Sequence, residues 1–201
     1  MLVKHNNNSI SNLTSAGQLA QGKMTLISSQ TASGSASIEF TSGIDSTYPI
    51  YKFEFINIHQ ATDVAYLSFQ GSTNSGSSYG VTITSTFFYT SHNEADTSTQ
   101  LAYWTARDLA QSTSFQPLGE DAGNDNDQNY TGSLYLFNPS STTFVKHFLG
   151  NVQSTNRSDY STQAFASGYF NTTTAIDAIQ FKMNSGNIDA GTIKLYGIKG
   201  D

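Results

Sequence analysis

The stretch Val81-Thr-Ile-Thr-Ser-Thr-Phe-Phe-Tyr-Thr90 decides the fold. Val81, Ile83, Phe87 and Tyr89 fall on one side at a spacing of two, while Thr82, Thr84, Thr86 and Thr90 fall mostly on the other. Successive side chains of a strand point to opposite faces, so this is a half-buried β-strand with a hydroxyl-rich outer surface. β-Branched and aromatic residues are the types that suit such a pleated surface.

The same pattern recurs on both sides of it. Toward the N-terminus, Met24–Ser28 and Ser37–Thr41 are short strand candidates, and Tyr51, Phe53 and Phe55 share one face. Ile56 and Ile58 land in the opposite phase, which calls for cover on both faces or for a bulge near Phe55. Ala65, Leu67 and Phe69 alternate with Tyr66, Ser68 and Gln70. Toward the C-terminus, Leu101–Asp108 fits a strand or a short helix, and residues 111–131 read as a long loop. Ser133–Phe137 is a strand candidate, ended by Pro139. Thr142–Val152 sets Phe144 and Phe148 on one side, with Val145, His147 and Leu149 on the other; Ala164–Phe170 is a further candidate. Ile179, Phe181 and Met183, a turn over 184–191, and Ile193 and Leu195 read as a hairpin. No strand–helix alternation and no internal repeat interrupts this series. The expectation is an all-β fold: an antiparallel β-sandwich, jelly-roll-like, forming one domain over 23–201 behind an extended N-terminal arm over 1–22.

Composition narrows the function. Only 12% of the residues are charged, against roughly 25% in an average soluble domain. Polarity comes from Ser, Thr, Asn, Gln and Gly, interleaved with 13 Phe and 11 Tyr. A net charge of −6, with nine scattered Lys and Arg, argues against nucleic acid and anionic membrane surfaces. The absence of Cys removes disulfides, thiolate chemistry and Cys-based zinc sites. The opening residues show no apolar core of a secretory signal, and no apolar run is long enough to span a membrane.

Candidate chemistry is sparse. Asp121, Asp125 and Asp127, with Glu120, Asn124 and Asn126, collect the hard oxygen ligands that Ca²⁺ takes, but without EF-hand spacing; the plainer reading of the same residues is an acidic solvated loop. Apart from this Ca²⁺ option no cofactor is expected. Tyr103 and Trp104 could stack against a sugar ring, or Trp104 could belong to the core. His5, His59, His92 and His147 show no metal-binding spacing, and His147 reads as packed. Asp63, Glu94 and Asp96 are carboxylates that no spacing rule pairs, and no Gly-x-Ser-x-Gly elbow, phosphate-binding loop or His-Glu-x-x-His motif occurs. Catalysis is therefore not expected. In the arm, Leu13 and Leu19 are the candidates for anchoring against a neighbour, although chain ends also fray.

The segment Ser37-Ile-Glu-Phe-Thr-Ser-Gly-Ile-Asp-Ser-Thr-Tyr-Pro-Ile-Tyr-Lys-Phe-Glu-Phe-Ile-Asn-Ile-His59 resembles small structural proteins of marine tailed phages, especially those infecting cyanobacteria. Ser185-Gly-Asn-Ile-Asp-Ala-Gly-Thr-Ile-Lys-Leu-Tyr-Gly-Ile-Lys199 is similar to the same group. The resemblance spans about residues 23–199 and carries no catalytic residues. It implies a bacteriophage virion structural protein made in the host cytoplasm, a tail, fibre or head-decoration component. Its partners would be other virion proteins, reached through the arm, and further copies of itself, with a trimer favoured. Neutral outer faces suit such contacts, because burying hydroxyls and amides costs less than burying charge. The rival expectation is a carbohydrate-binding adsorption module for host envelope glycans, with Tyr103, Trp104 and the 111–131 loop as its site.

Overall fold

The computed structural model describes residues 24–199, and these form two antiparallel sheets with no helix among them. The expected arm, including Leu13, Leu19 and His5, lies outside the described residues. Eight strands make the wrapped core of the fold: β1 (Met24–Thr31), β2 (Ile38–Phe40), β3 (Ile50–Gln60), β4 (Leu67–Ser72), β7 (Gln116–Pro117), β8 (Tyr130–Phe137), β11 (Ala178–Met183) and β12 (Ile188–Ile198). They pair in nested order, β1 with β12, β2 with β11, β3 with β8 and β4 with β7. Successive pairs alternate between the two sheets, which is the winding of a jelly roll.

Four further strands lengthen only one sheet. They are β5 (Ile83–Asn93), β6 (Thr99–Tyr103), β9 (Lys146–Thr155) and β10 (Tyr160–Phe170). The larger sheet therefore runs β1-β12-β3-β8-β9-β10-β5-β6, and the smaller runs β2-β11-β4-β7.

The core between the sheets is aromatic. Phe181 of β11 lies edge-on to Phe53 and Phe55 of β3, at centroid distances of 5.1 and 5.3 Å, and to Phe40 of β2 at 6.2 Å. Phe69 meets Phe148 edge-on at 5.0 Å. Edge-to-face packing sets the positive ring edge against the negative face of its neighbour, which adds to area burial.

The phase conflict after Phe55 is resolved by a bulge. Pairing of β3 with β8 slips between Phe55 and Ile58, Asn57 takes a left-handed φ of 50°, and Ile58 becomes fully buried. Inserting one residue returns the apolar series to the core face.

Five sequence expectations need correction. The C-terminal pattern is not a hairpin: β11 lies in the smaller sheet and β12 in the larger, so the 184–191 turn carries the chain across the sandwich. Both strands face the same core, so alternation alone does not distinguish this arch from a hairpin. Strand β9 begins only at Lys146, leaving Phe144 exposed, and His147 points outward against the edge of Tyr169, centroids 5.9 Å apart, instead of being packed. The 101–108 segment is the end of a strand followed by a turn.

The 111–131 stretch is also no free loop. Leu118 and Ala122 are fully buried, and the stretch contains β7. Ser112 exchanges two backbone hydrogen bonds with Ile83, at 2.8 and 3.0 Å, and Leu118 N–H donates to the Leu67 carbonyl at 2.8 Å. Phe69 of the smaller sheet covers part of the inner face of the added strands, at Phe148 and Phe170, and residues 104–129 cover more of it, with Trp104 on Phe87 and Tyr89 and Ser112 on Ile83. The Tyr130 hydroxyl anchors this cover: it accepts from Ala122 N–H at 2.9 Å and lies 2.7 Å from the Ala65 carbonyl. Burial raises its pKa, which keeps it a neutral donor.

Candidate functional site

The outer face of the extension, together with the adjoining β8, is the most distinctive surface among the described residues. Alternation along β8, β9, β10, β5 and β6 sends outward Ser133 and Tyr135; Leu149, Asn151 and Gln153; Gln163, Phe165 and Ser167; Thr86, Phe88 and Thr90; Leu101 and Tyr103. No Asp, Glu, Lys or Arg occupies an outward position on these five strands. Charge returns on the jelly-roll strands beyond β8, with the Lys52–Glu54 pair on β3, 2.9 Å apart, and Lys194 on β12.

Strand register places these residues in rows. One row reads Tyr103, Phe88, Phe165, Asn151, Ser133; the next reads Thr86, Ser167, Leu149, Tyr135. Phe88 and Phe165 stack at 4.7 Å with an interplanar angle of 11°. The polar members bond to one another across the strands, Gln163 Nε2 to Asn151 Oδ1 at 2.9 Å and Thr86 to Ser167 hydroxyl at 2.8 Å. Leu101, Tyr103, Leu149 and Phe88 keep 73%, 53%, 52% and 40% of their surface exposed, so the patch is apolar and open to solvent. A shallow depression of about 320 Å³ lies between Phe88, Phe165, Leu149 and Tyr135. A second, of about 330 Å³, shares Leu149 and Ser167 and extends toward His147 and Tyr169. Scattered exposed leucines are ordinary, but a contiguous apolar patch marks a surface that meets something.

The residues singled out by sequence fall elsewhere or apart. Tyr103 and Trp104 sit on opposite sides of the sheet. Tyr103 pairs across from outward Phe88 and bonds Asp108 at 2.5 Å, whereas Trp104 packs inward on Tyr89 and Phe87, with centroids at 5.1 and 6.3 Å. The two do not form a joint stacking platform. Trp104 instead helps clamp Arg107, whose guanidinium lies 4.7 Å from its ring and 3.8 Å from that of Tyr66. Arg107 in turn bonds Asp121 at 2.5 Å. Burial and the neighbouring Asp121 charge push the Glu120 carboxyl above its ordinary value.

Asp121 is thereby committed to a mostly buried ion pair, while Asp125 and Asp127 lie on the exposed tip of the same segment. The structure does not gather the three carboxylates, and among the described residues no three Asp, Glu or His side chains form a metal-binding group. Asp63 lies in the β3–β4 turn; Glu94 and Asp96 lie in the β5–β6 turn, where His92 contacts Asp96 at 3.1 Å.

Sequence reasoning expected neutral outer faces but did not single out the aromatic cluster on this one, although a signal existed. Consecutive phenylalanines in a strand, Phe87-Phe88, must send one ring outward. Phe165, out of phase with buried Ala164 and Ala166, is the second such marker. Compared with known protein families, curated proteins and solved structures, the chain matches none.

Proposed function

We propose that this chain is a non-catalytic contact protein, a virion structural subunit that associates with copies of itself through the outer face of β8, β9, β10, β5 and β6. The observation that carries the reading is the lack of charged side chains at the outward positions of those five strands, with the Asp108 carboxylate bonded to them at the Tyr103 end, in a chain of net charge −6. Like-charge repulsion opposes self-association elsewhere on such a surface, and this patch is where two copies meet without it. Interface cores are depleted in charge and enriched in aromatic residues, which describes the Phe88, Phe165, Tyr135 and Leu149 cluster. Five strands at ~4.8 Å and about nine residues at ~3.3 Å outline a face of roughly 700 Å². That is close to the ~800 Å² per partner of a standard stable interface. The virion assignment itself rests on the phage-like segments 37–59 and 185–199.

Sedimentation velocity at micromolar concentration tests this proposal. The wild type should sediment as a closed oligomer, and Leu149→Lys with Phe165→Lys should yield a folded monomer with unchanged far-UV circular dichroism. A wild type that stays monomeric across that concentration range would end the reading.

A further inference from the structure

A separate pocket lies where three irregularities of the larger sheet converge. Pairing of β3 with β8 slips between Phe55 and Ile58, and pairing of β12 with β3 slips on both sides of Ala190. Asn57 holds its left-handed φ of 50°, and Gly191 facing it has φ 110°. A side chain at Gly191 would collide with the Asn57 carbonyl oxygen. Bulges of this kind re-aim side chains, and strained backbone persists where surrounding structure enforces it.

The result is a depression of about 360 Å³ lined by Asn57, His59, Asn126, Asn129, Asp189 and Ala190. Its size falls in the ~300–1,000 Å³ range of small-molecule sites. The lining is polar except for Ala190, so an apolar ligand gains little there. His59 lies between Asp189, at 3.5 Å from Nδ1, and the Asp125 carbonyl, at 3.2 Å from Nε2. The other polar side chains, with Asn57, Asn126 and Asp189 exposed, face solvent and are little committed to partners within the chain. Among the described residues the Asn57 and Asn126 carboxamides have no partner, Asp189 contacts only His59 through its side chain, and Asn129 makes two contacts of 3.5 Å, at the limit of a hydrogen bond.

We infer that this pocket binds a neutral polyhydroxylated ligand, a sugar ring or short uncharged oligosaccharide. A carboxylate accepts from two adjacent hydroxyls, and carboxamides both donate and accept, so the set Asp189, Asn57, Asn126 and Asn129 matches a ring of vicinal hydroxyls. Charge excludes an anionic sugar: Asp189 lines the pocket, Asp125 and Asp127 adjoin it in sequence, and no Lys or Arg lines it. The inference stands apart from self-association, because none of these residues belongs to the outward rows of the extension.

The test uses the full chain and the methyl glycosides of glucose, galactose, mannose and fucose, read by proton–nitrogen chemical-shift titration at millimolar ligand. At least one neutral glycoside should give saturable shifts of the Asn57, Asn126 and Asn129 side-chain amides. Asn57→Gly suits the backbone conformation there, and Asp189→Asn and Asn126→Ala change exposed positions. Each should weaken binding by about tenfold or more while the thermal midpoint is kept, as expected for loss of one ligand hydrogen bond to a charged or well-oriented group. The inference is overturned if none of the four glycosides saturates those signals, or if methyl glucuronide binds as well. It is equally overturned if calcium chloride alone saturates them, which marks a cation site, or if all three variants bind like the wild type.

Discussion

Replacing Phe181 by Ala strikes the centre of the sandwich. Phe181 is fully buried on the smaller sheet and reaches across to Phe53 and Phe55 of the larger at 5.1 and 5.3 Å, with Phe40 at 6.2 Å. Truncation removes a ring and leaves a cavity between two sheets held apart by their own hydrogen bonds, so collapse is limited. Large-to-small changes of this kind cost about 3–5 kcal/mol. At about 2–4 °C per kcal/mol for a domain of this size, the midpoint should fall by roughly 10 °C. Phe144→Ala is the matched control: the same deletion at a ring that is 68% exposed, with an expected change within about 0.5 kcal/mol. Urea unfolding of both variants and the wild type, with a shared m-value, gives the difference directly. Equal losses for the two variants, or a cost below about 1 kcal/mol at Phe181, would show that the sheets do not pack as described.

Two titratable groups give pH-dependent predictions. The Glu120 carboxyl is raised above its ordinary value of 4.5 by burial and by Asp121. The folded state therefore holds the proton more tightly than the unfolded chain, and stability falls as pH climbs from the ordinary value through the folded one. Glu120→Gln should then be more stable than wild type at neutral pH and lose that advantage below the ordinary carboxylate range, a crossing that thermal scans across pH would detect. Lys146 is enclosed on β9, with Nζ donating to the Phe144 and Thr172 carbonyls at 2.9 and 3.1 Å, and burial lowers its pKa from 10.5. Here the unfolded chain binds the proton more tightly, so stability rises as pH moves from the folded value up to 10.5. Lys146→Met should lack that rise, and a variant whose alkaline profile parallels the wild type would contradict the assignment.

The fold was legible wherever alternation was clean. Ile83 to Phe87, Tyr51 to Phe55 and Ile193 to Leu195 all bury the residues their spacing selects, and Tyr89 is half-buried. Topology was less so, because β11 and β12 carry the same alternation whether they pair or face each other across the core. The 111–131 stretch misled for a different reason. Its Asn, Asp and Gly residues read as solvent-loving, yet Leu118, Ala122 and Gln116 are buried beneath strands that the smaller sheet covers only in part. Such a segment carries no period, only isolated anchors. The outer patch was hidden because it is assembled from single residues on five strands, one or two from each. The pocket at Asn57 was hidden because its residues come from β3, β12 and the 104–129 cover, brought together by bulges that spacing does not reveal.

Hydroxyl-radical footprinting of the protein as a function of its concentration tests the contact surface most directly. At high concentration Phe88, Tyr103, Leu149 and Phe165 should be protected together and become labelled on dilution, while Phe144, exposed on a connecting loop, is labelled equally throughout. Labelling of the four that is independent of concentration, or protection that centres on the Lys52–Glu54 side of the sheet, would contradict the account.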